Sequence, residues 1–435
     1  MDFEKPGHSS PWRVSVAAVA LAVAGLATAA GQERHTLILT STNDPANNAV
    51  VAFKLNTHGT PSLTATQSVP TGAKGGASGN AGILQFQGNL GAVANFGSNS
   101  VTQLWRRGDF IGAGRSIALA SDCTGPDSVA LTRDELYVVS TDCAESHSWP
   151  SGHLDGSVVT LSDNSAAQIV AGKTWAAVTM KSGSVLQLDL SGHDGALNGS
   201  NTTITLPDDA NNTPLGAAFW GDVLGFTPAH SPDSFAIVDS NRNVFPILGP
   251  APAYPTNAPC WVAKGPNSIW YTANSPGHAI SIFFSDNKGG AFYKSVPLPG
   301  TPTDITVSSD QNWLAVIYAA AGAAHIAVFS IDNYGDLTMA ATSPAIGAVQ
   351  FSGVAISQGR PRRRGRATTR HACGSPCEVL TCFFNLRNVR RDTLPRIRRR
   401  FETEAMQIAL SGAEALRYLL SAEEEGIISH RMARS

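Results

Sequence analysis

The residues best equipped for chemistry lie in one short stretch, Asp142-Cys-Ala-Glu-Ser-His-Ser-Trp-Pro-Ser-Gly-His. It supplies an acid, a base and an aromatic ring close together. Adding water to a carbonyl centre needs a base to activate the water and a donor to steady the developing oxyanion. His147 suits the base, because imidazole titrates near neutrality. Glu145 or Asp142 would orient it, and Lys74 or an Asn amide would serve the oxyanion. The alternative is that the stretch is a solvent-exposed loop held by a Cys123–Cys143 disulfide.

Other polar residues are expected to gather with this stretch on one face: Asn95, His230, Asn274, His278 and Asp304, together with Asp142 of the stretch itself, are expected to contact substrate. His147, His153, His230 and His278 are the imidazoles that a metal would use. Their spacing gives no ligand pattern, so neither a metal nor another cofactor is expected. No H-E-x-x-H, Walker loop or G-x-S-x-G motif occurs in residues 1–358.

The elements that must position these side chains recur along the chain. A short apolar strand appears seven times, for example as Glu135-Leu-Tyr-Val-Val-Ser, Ser268-Ile-Trp-Tyr-Thr-Ala and Trp313-Leu-Ala-Val-Ile-Tyr. Each copy is followed by a polar loop and a partner strand, such as Ala49-Val-Val-Ala-Phe-Lys-Leu or, after Glu135–Ser140, Gly156-Ser-Val-Val-Thr-Leu. A turn and a small-residue strand precede most copies: Gly125-Pro-Asp-Ser-Val-Ala-Leu, Thr213-Pro-Leu-Gly-Ala-Ala-Phe, Ala258-Pro-Cys-Trp-Val-Ala and Thr301-Pro-Thr-Asp-Ile-Thr-Val. Pro at a strand's first residues costs no ladder hydrogen bond. A fourth, irregular strand completes the unit, as in Thr202-Thr-Ile-Thr-Leu.

Four strands per unit of about 40–50 residues is the signature of a β-propeller. The expected fold is therefore all-β, with seven blades. The first unit opens on its second strand at Thr36, and the missing inner strand returns as Phe351-Ser-Gly-Val-Ala-Ile-Ser. That strand would complete blade one and close the ring. Two β-sandwiches are the competing architecture, and they would not produce a sevenfold recurrence.

The repeat resembles the lactonase-like seven-bladed propellers, secreted relatives of 6-phosphogluconolactonase and 3-carboxymuconate cyclase. Thr71-Gly-Ala-Lys-Gly-Gly-Ala-Ser-Gly-Asn, Gly125-Pro-Asp-Ser-Val-Ala-Leu, Asn257-Ala-Pro-Cys-Trp-Val, Thr301-Pro-Thr-Asp-Ile-Thr-Val-Ser-Ser-Asp and Ile331-Asp-Asn-Tyr-Gly-Asp-Leu carry the likeness, over roughly residues 35–357. The resemblance implies the fold and a lactonase or carboxymuconate cyclase-like activity at the mouth of the central channel. The other expectation is a non-catalytic extracellular or cell-surface glycoprotein that binds through the propeller face.

Residues 1–29 read as a signal peptide: Lys5 and Arg13, an apolar run from Val14 to Leu26, then Ala27-Thr28-Ala29. A secreted, extracellular or cell-wall location follows, in which disulfides form. Asn198, Asn201 and Asn211 begin N-glycosylation sequons in what reads as an exposed polar loop region. The net charge of −2 is a cancellation: residues 1–358 carry 15 Lys+Arg and 25 Asp+Glu (−10), and residues 359–435 carry 16 Arg and 8 Asp+Glu (+8). The acidic body argues against nucleic acid as a partner. A small molecule or a carbohydrate or cell-surface ligand, no membrane span and a monomer are expected. The Arg-rich tail, 359–435, lies outside the repeat; it reads as disordered with a helix near 401–425, and as translated intron or frameshifted sequence.

Overall fold

The computed structural model describes residues 35–359, apart from Ser78, Asn80, His193, 231–234, 248–257, 287–288 and Val349. The expected signal peptide and all but the first residue of the Arg-rich tail lie outside the described residues. Among the described residues, the strands form seven antiparallel sheets, one for each blade of a propeller. Blade 1 runs, from the centre outward, Ser352–Gln358, Thr36–Ser41, Ala49–Asn56 and Ser62–Pro70. Its innermost strand is thus the last in the chain. Thr36 pairs with Gln358, and Ile38 with Ile356, so the ring closes where the repeat predicts.

Burial peaks at the second strand of each blade and falls outward from it, and sequence periodicity follows it. The second strands of blades 1, 3, 4, 5 and 6 are buried at every residue. Both faces of such a strand pack against neighbouring blades, so it reads as a continuous apolar run. The outer strand of blade 1 alternates exposed with half-buried residues over most of its length, as an edge facing water should.

Inner strands share a further device. In blades 3, 4, 5, 6 and 7 the register with the second strand shifts near the inner strand's start, as between Pro126 and Ser128 and between Pro302 and Asp304. A bulge of this kind re-aims the side chain that follows it. Closure has its own fastener. Arg106, on the third strand of blade 2 (Ser100–Arg107), is buried and donates to the carbonyls of Ser357, His35 (2.6 Å) and Gly108 (2.7 Å). One guanidinium therefore holds both strands of the closing pair.

Two expectations need correction. The third strand of blade 3 is Cys143–Ser148, inside the stretch read as a long loop. Val159–Thr160, from the segment expected as that third strand, pairs outside it instead. The stretch looked like a loop because it is polar. It is buried with Glu145 paired to His147 Nε2, while His147 Nδ1 has no hydrogen-bond partner. Likewise, Asn198 and Asn201 are exposed but stand on the outer strand of blade 4, Leu197–Ile204, rather than on a loop. Asn211 follows this strand and is half-buried, with its side-chain amide donating to Asp208.

Candidate functional site in the central channel

The seven inner strands surround a central channel of about 260 Å³. Each inner strand's first residues pair with the last residues of the second strand, as Pro126 does with Ser140. The start of every inner strand and the loop joining second to third strands therefore share one face, the entry face. The inner strand's last residues lie at the opposite, exit side.

Near the entry face, three polar side chains follow the bulges: Ser128, Gln168 and Asp304. Each accepts a backbone N–H from the inner strand of the next blade. Ser128 Oγ takes that of Ile169 (3.3 Å), Gln168 Oε1 that of Ala217 (2.6 Å) and Asp304 Oδ2 that of Val354 (3.0 Å). The bond from Ala217 fixes the orientation of the Gln168 amide. Its Nε2 then lies beside Gly82, where a Cβ would come within 3.0 Å of it and within 2.8 Å of Ser128 Oγ. A side chain at Gly82 would meet both groups, and the Ser128 hydroxyl itself donates to the Gly82 carbonyl at 3.4 Å.

Asp304 is 5% exposed, and its Oδ1 also accepts the Ile305 N–H at 2.8 Å. Burial pushes its carboxyl up to about 7, and the two backbone N–H groups only partly oppose this. Lys181, just after the second strand of blade 4, lies near the buried Asp127. Burial lowers the Lys181 ammonium, and the charge of Asp127 acts the other way.

The exit side carries a lysine. Lys264, the last residue of its inner strand, donates to the carbonyls of Gly265 (2.7 Å), Ile269 (3.2 Å) and Asn267. Its ammonium lies 4.9 Å from the Trp220 ring centroid and 5.2 Å from that of Trp270. Desolvation brings it down to about 8.

The structure brings Glu145 and His147 together, but elsewhere. They are two residues apart on one strand, so they share a face. His147 Nε2 lies 2.8 Å from Glu145 Oε1, and the pair is 1% and 0% exposed. Glu145 Oε2 accepts the Ala120 N–H at 2.8 Å, and a Cys123–Cys143 disulfide with Cα atoms 5.5 Å apart lies beside it. These contacts fasten the connection from blade 2 to the third strand of blade 3. Neither residue lines the channel.

The other expected site residues are dispersed. Asn95 and Asn274 are fully buried at the ends of second strands and bond Thr102 (2.9 Å) and Ser281 (2.6 Å) on the adjoining third strands. Asp142 holds the Thr124 N–H and hydroxyl. His230 and His278 are exposed and bond Thr213 and Thr301. Lys74 is exposed and joins no hydrogen bond or ion pair to Glu145 or His147 among the described residues. Asp304 alone of the expected residues lines the channel. Among the described residues, the only close trio of metal-ligand atoms is Cys123, Cys143 and Glu145, and its sulfurs are bonded to each other.

Gln168, which lines the channel, was missed, as was Ser128 beside it; for Ser128 a signal exists. Ser128, Gly216, Trp261 and Asp304 each stand two residues after a strand-opening Pro. Aligning the units on that Pro places these side chains at one level.

No protein-family model matches the chain, and none of the curated proteins does. Solved structures do. A protein from Lactobacillus plantarum superposes with a TM-score of 0.55 at 14% identity, covering 74% of this chain and 99% of that one. The periplasmic gluconolactonase PpgL of Pseudomonas aeruginosa gives 0.54 at 13% identity, with the same coverage of 74% and 99%. At such identities the likeness establishes the propeller fold, and a propeller fold hosts many activities.

Proposed function

We propose that this chain is a lactonase-like propeller that takes a small, uncharged lactone into the entry side of its central channel. The observation that carries this reading is Asp304, a channel-lining carboxyl pushed up to about 7 and therefore poised to exchange a proton near neutrality. In the proposed reaction, ionised Asp304 accepts a proton from water as the water oxygen bonds to the lactone carbonyl carbon. The Gln168 amide donates to the oxyanion, and the Ser128 hydroxyl turns from the Gly82 carbonyl to do the same. Collapse breaks the ring C–O bond, and the proton passes to the leaving alkoxide, so lactone and water give a hydroxy acid. Its resemblance to lactonase-like propellers and its structural likeness to a gluconolactonase support this choice of substrate class. A buried carboxylate disfavours a second anion, so uncharged lactones are expected before phosphorylated ones.

The test is a panel of sugar and aliphatic lactones assayed with the wild type and Asp304→Asn. Turnover by the wild type and its loss in the variant would support the reading. Absence of turnover across the panel would sink it.

A second reading, binding without catalysis, has its own observation: both Asp304 oxygens already accept backbone N–H groups. On that reading the carboxyl is a fastener between blades 7 and 1, and the propeller face binds an extracellular ligand. Saturable binding of a lactone that is never opened would favour it.

A further inference from the structure

Exposed aromatic side chains are not spread evenly over the ring. Among the described residues they are Trp105, Phe110, Trp220, Phe284, Tyr293 and Tyr334. Trp220 ends an inner strand, Tyr334 lies in the turn after the third strand of blade 7, and Phe110 opens the outer strand of blade 2. Trp105 and Phe284 stand opposite Leu90 and Ile269, the first residues of their second strands. All five places are on the exit side, and the ring of Tyr293 lies 5.1 Å from that of Phe284.

Trp105 and Phe284 occupy equivalent places. Each is the sixth residue of an eight-residue third strand, and each is 37% exposed. Opposite the first residues of the second strands of blades 3, 4 and 7 (Glu135, Trp175 and Trp313) stand Ser148, Asp189 and Ser330. A small polar side chain therefore suffices there, and packing does not call for a large ring. Each of the two rings has another beside it, since Trp105 lies 5.5 Å from Phe110 as Phe284 does 5.1 Å from Tyr293. Small residues, Gly112 and Ala291, face them on the outer strands. A Cβ on Gly112 would lie 2.2 Å from Trp105 Cζ2, so one side of the indole rests on bare backbone while the ring stays exposed.

The surroundings select a partner. Among the described residues, the turns between third and outer strands carry Asp109, Asp194, Asp239, Asp332 and Asp336, with Arg242 as their one Lys or Arg. Such a surface repels anionic lipid and other polyanions. The rings form two small platforms on separate blades, whereas a stable protein interface has one continuous apolar core. Beside the blade 6 platform, Lys294 pairs with Asp336 at 2.8 Å, so a donor and an acceptor border the rings. An aromatic face attracts C–H groups. A β-linked pyranose with equatorial hydroxyls offers C–H faces, hydroxyl edges and no charge.

We propose that the exit side binds a neutral, β-linked polysaccharide, with Trp105–Phe110 and Phe284–Tyr293 as its stacking platforms. The entry side and Asp304 stay open when the polymer is bound, and the proposal does not depend on the channel's reaction.

The experiment sediments the full chain with microcrystalline cellulose, chitin and insoluble β-1,3-glucan, at low and high salt. The wild type should co-sediment with at least one polymer, equally at both, because no ion pair carries the contact. Trp105→Leu and Phe284→Leu stay apolar but lack a ring face. Each should weaken binding by about fivefold or more, and the double variant should abolish it. Trp105→Phe and Phe284→Tyr keep a ring and should bind within about threefold of the wild type. A Tm within about 4 °C of the wild type shows that the Leu variants are folded. Failure to sediment with all three polymers would overturn the proposal, as would binding that survives the double Leu variant. Binding to phosphatidylserine vesicles instead, or a dimer that the double Leu variant dissociates, would overturn it by giving the face to a lipid surface or to a second copy.

Discussion

Glu145 in blade 3 and Asp304 in the channel are equally removed from water, yet they stand in opposite situations. Glu145 has an imidazole on one oxygen and the Ala120 N–H on the other, and no open volume beside it. Asp304 has two backbone N–H groups, no charged partner among its bonds, and a channel in front of it. An acid–base pair at 2.8 Å looks like catalysis when only its residues are seen. Its burial away from the channel makes it, on the proposed function, a structural pair. Chemistry requires a group whose proton is loosely held and that faces open volume, and on the proposed function Asp304 is that group.

The sharpest way to break this comparison is to neutralise each carboxyl and measure lactone turnover. On the proposed function, Asp304→Asn should lower kcat by about 10²–10⁴-fold, the usual contribution of a general base. Glu145→Gln should leave kcat within about twofold once the folded fraction is matched. If Glu145→Gln proved the more damaging in kcat, the pair in blade 3 would be the catalytic one.

Stability should reverse the order. Glu145→Ala removes one partner of a buried pair and leaves His147 and the Ala120 N–H without an acceptor. Breaking such a pair costs about 3–5 kcal/mol. Glu145→Gln retains an acceptor for Ala120 and a donor for the imidazole, so it should cost no more than about 1.5 kcal/mol. Denaturant unfolding of the two variants checks this. Equal losses would mean that the side chain's shape matters and its hydrogen bonds do not.

The pH dependence separates the two carboxyls again. Asp304 has a folded-state value of about 7 against an ordinary value of 3.8, so between these limits the folded chain holds a proton that the unfolded chain has released. Stability should therefore fall as pH rises from about 4 to 7, with a limiting slope of about 1.4 kcal/mol per pH unit from this group. Glu135, pushed up to about 8, adds a fall in the same direction that continues further. Asp304→Asn should flatten the first part and leave the second. Lactone turnover, which needs the ionised form, should climb through the same pH range in which stability falls.

The ring was legible because its signals are local: period-two apolar runs, strand-opening Pro residues and a final strand without a partner in its own unit. The inner strand of blade 7 was found from Pro302, and Asp304 was placed at the mouth for the same reason. The polar strand Cys143–Ser148 was not legible, because its burial depends on a pairing between side chains that no propensity records. Gln168 was missed because its strand, Ala166–Ala171, has no Pro to anchor it. Glu135 was seen as the first residue of a strand, where an acid normally faces water. Only its position beneath Gly195 shows otherwise.

The smallest expected effects belong to the exposed members of the original set. His230, His278 and Lys74 were expected to serve the site, and each is exposed in the structure. The two imidazoles each meet one Thr hydroxyl, at 2.7 Å for Thr213 and 2.9 Å for Thr301. A hydrogen bond between exposed groups is exchanged for one with water at little net change. Substitution of any of the three by Ala should therefore shift stability by no more than about 0.5 kcal/mol. Turnover should be equally indifferent, since none of the three lines the channel. His278 carries one reservation in the backbone: its φ is +48°, a left-handed conformation that Ala tolerates less well than Asn or Gly. His278→Asn is therefore the cleaner probe of the imidazole, and His278→Ala of the turn. A marked loss of turnover in His278→Asn would mean that substrate reaches from the channel out to the loops of the entry face, and the site would then have to be drawn wider than Asp304 and its two donors.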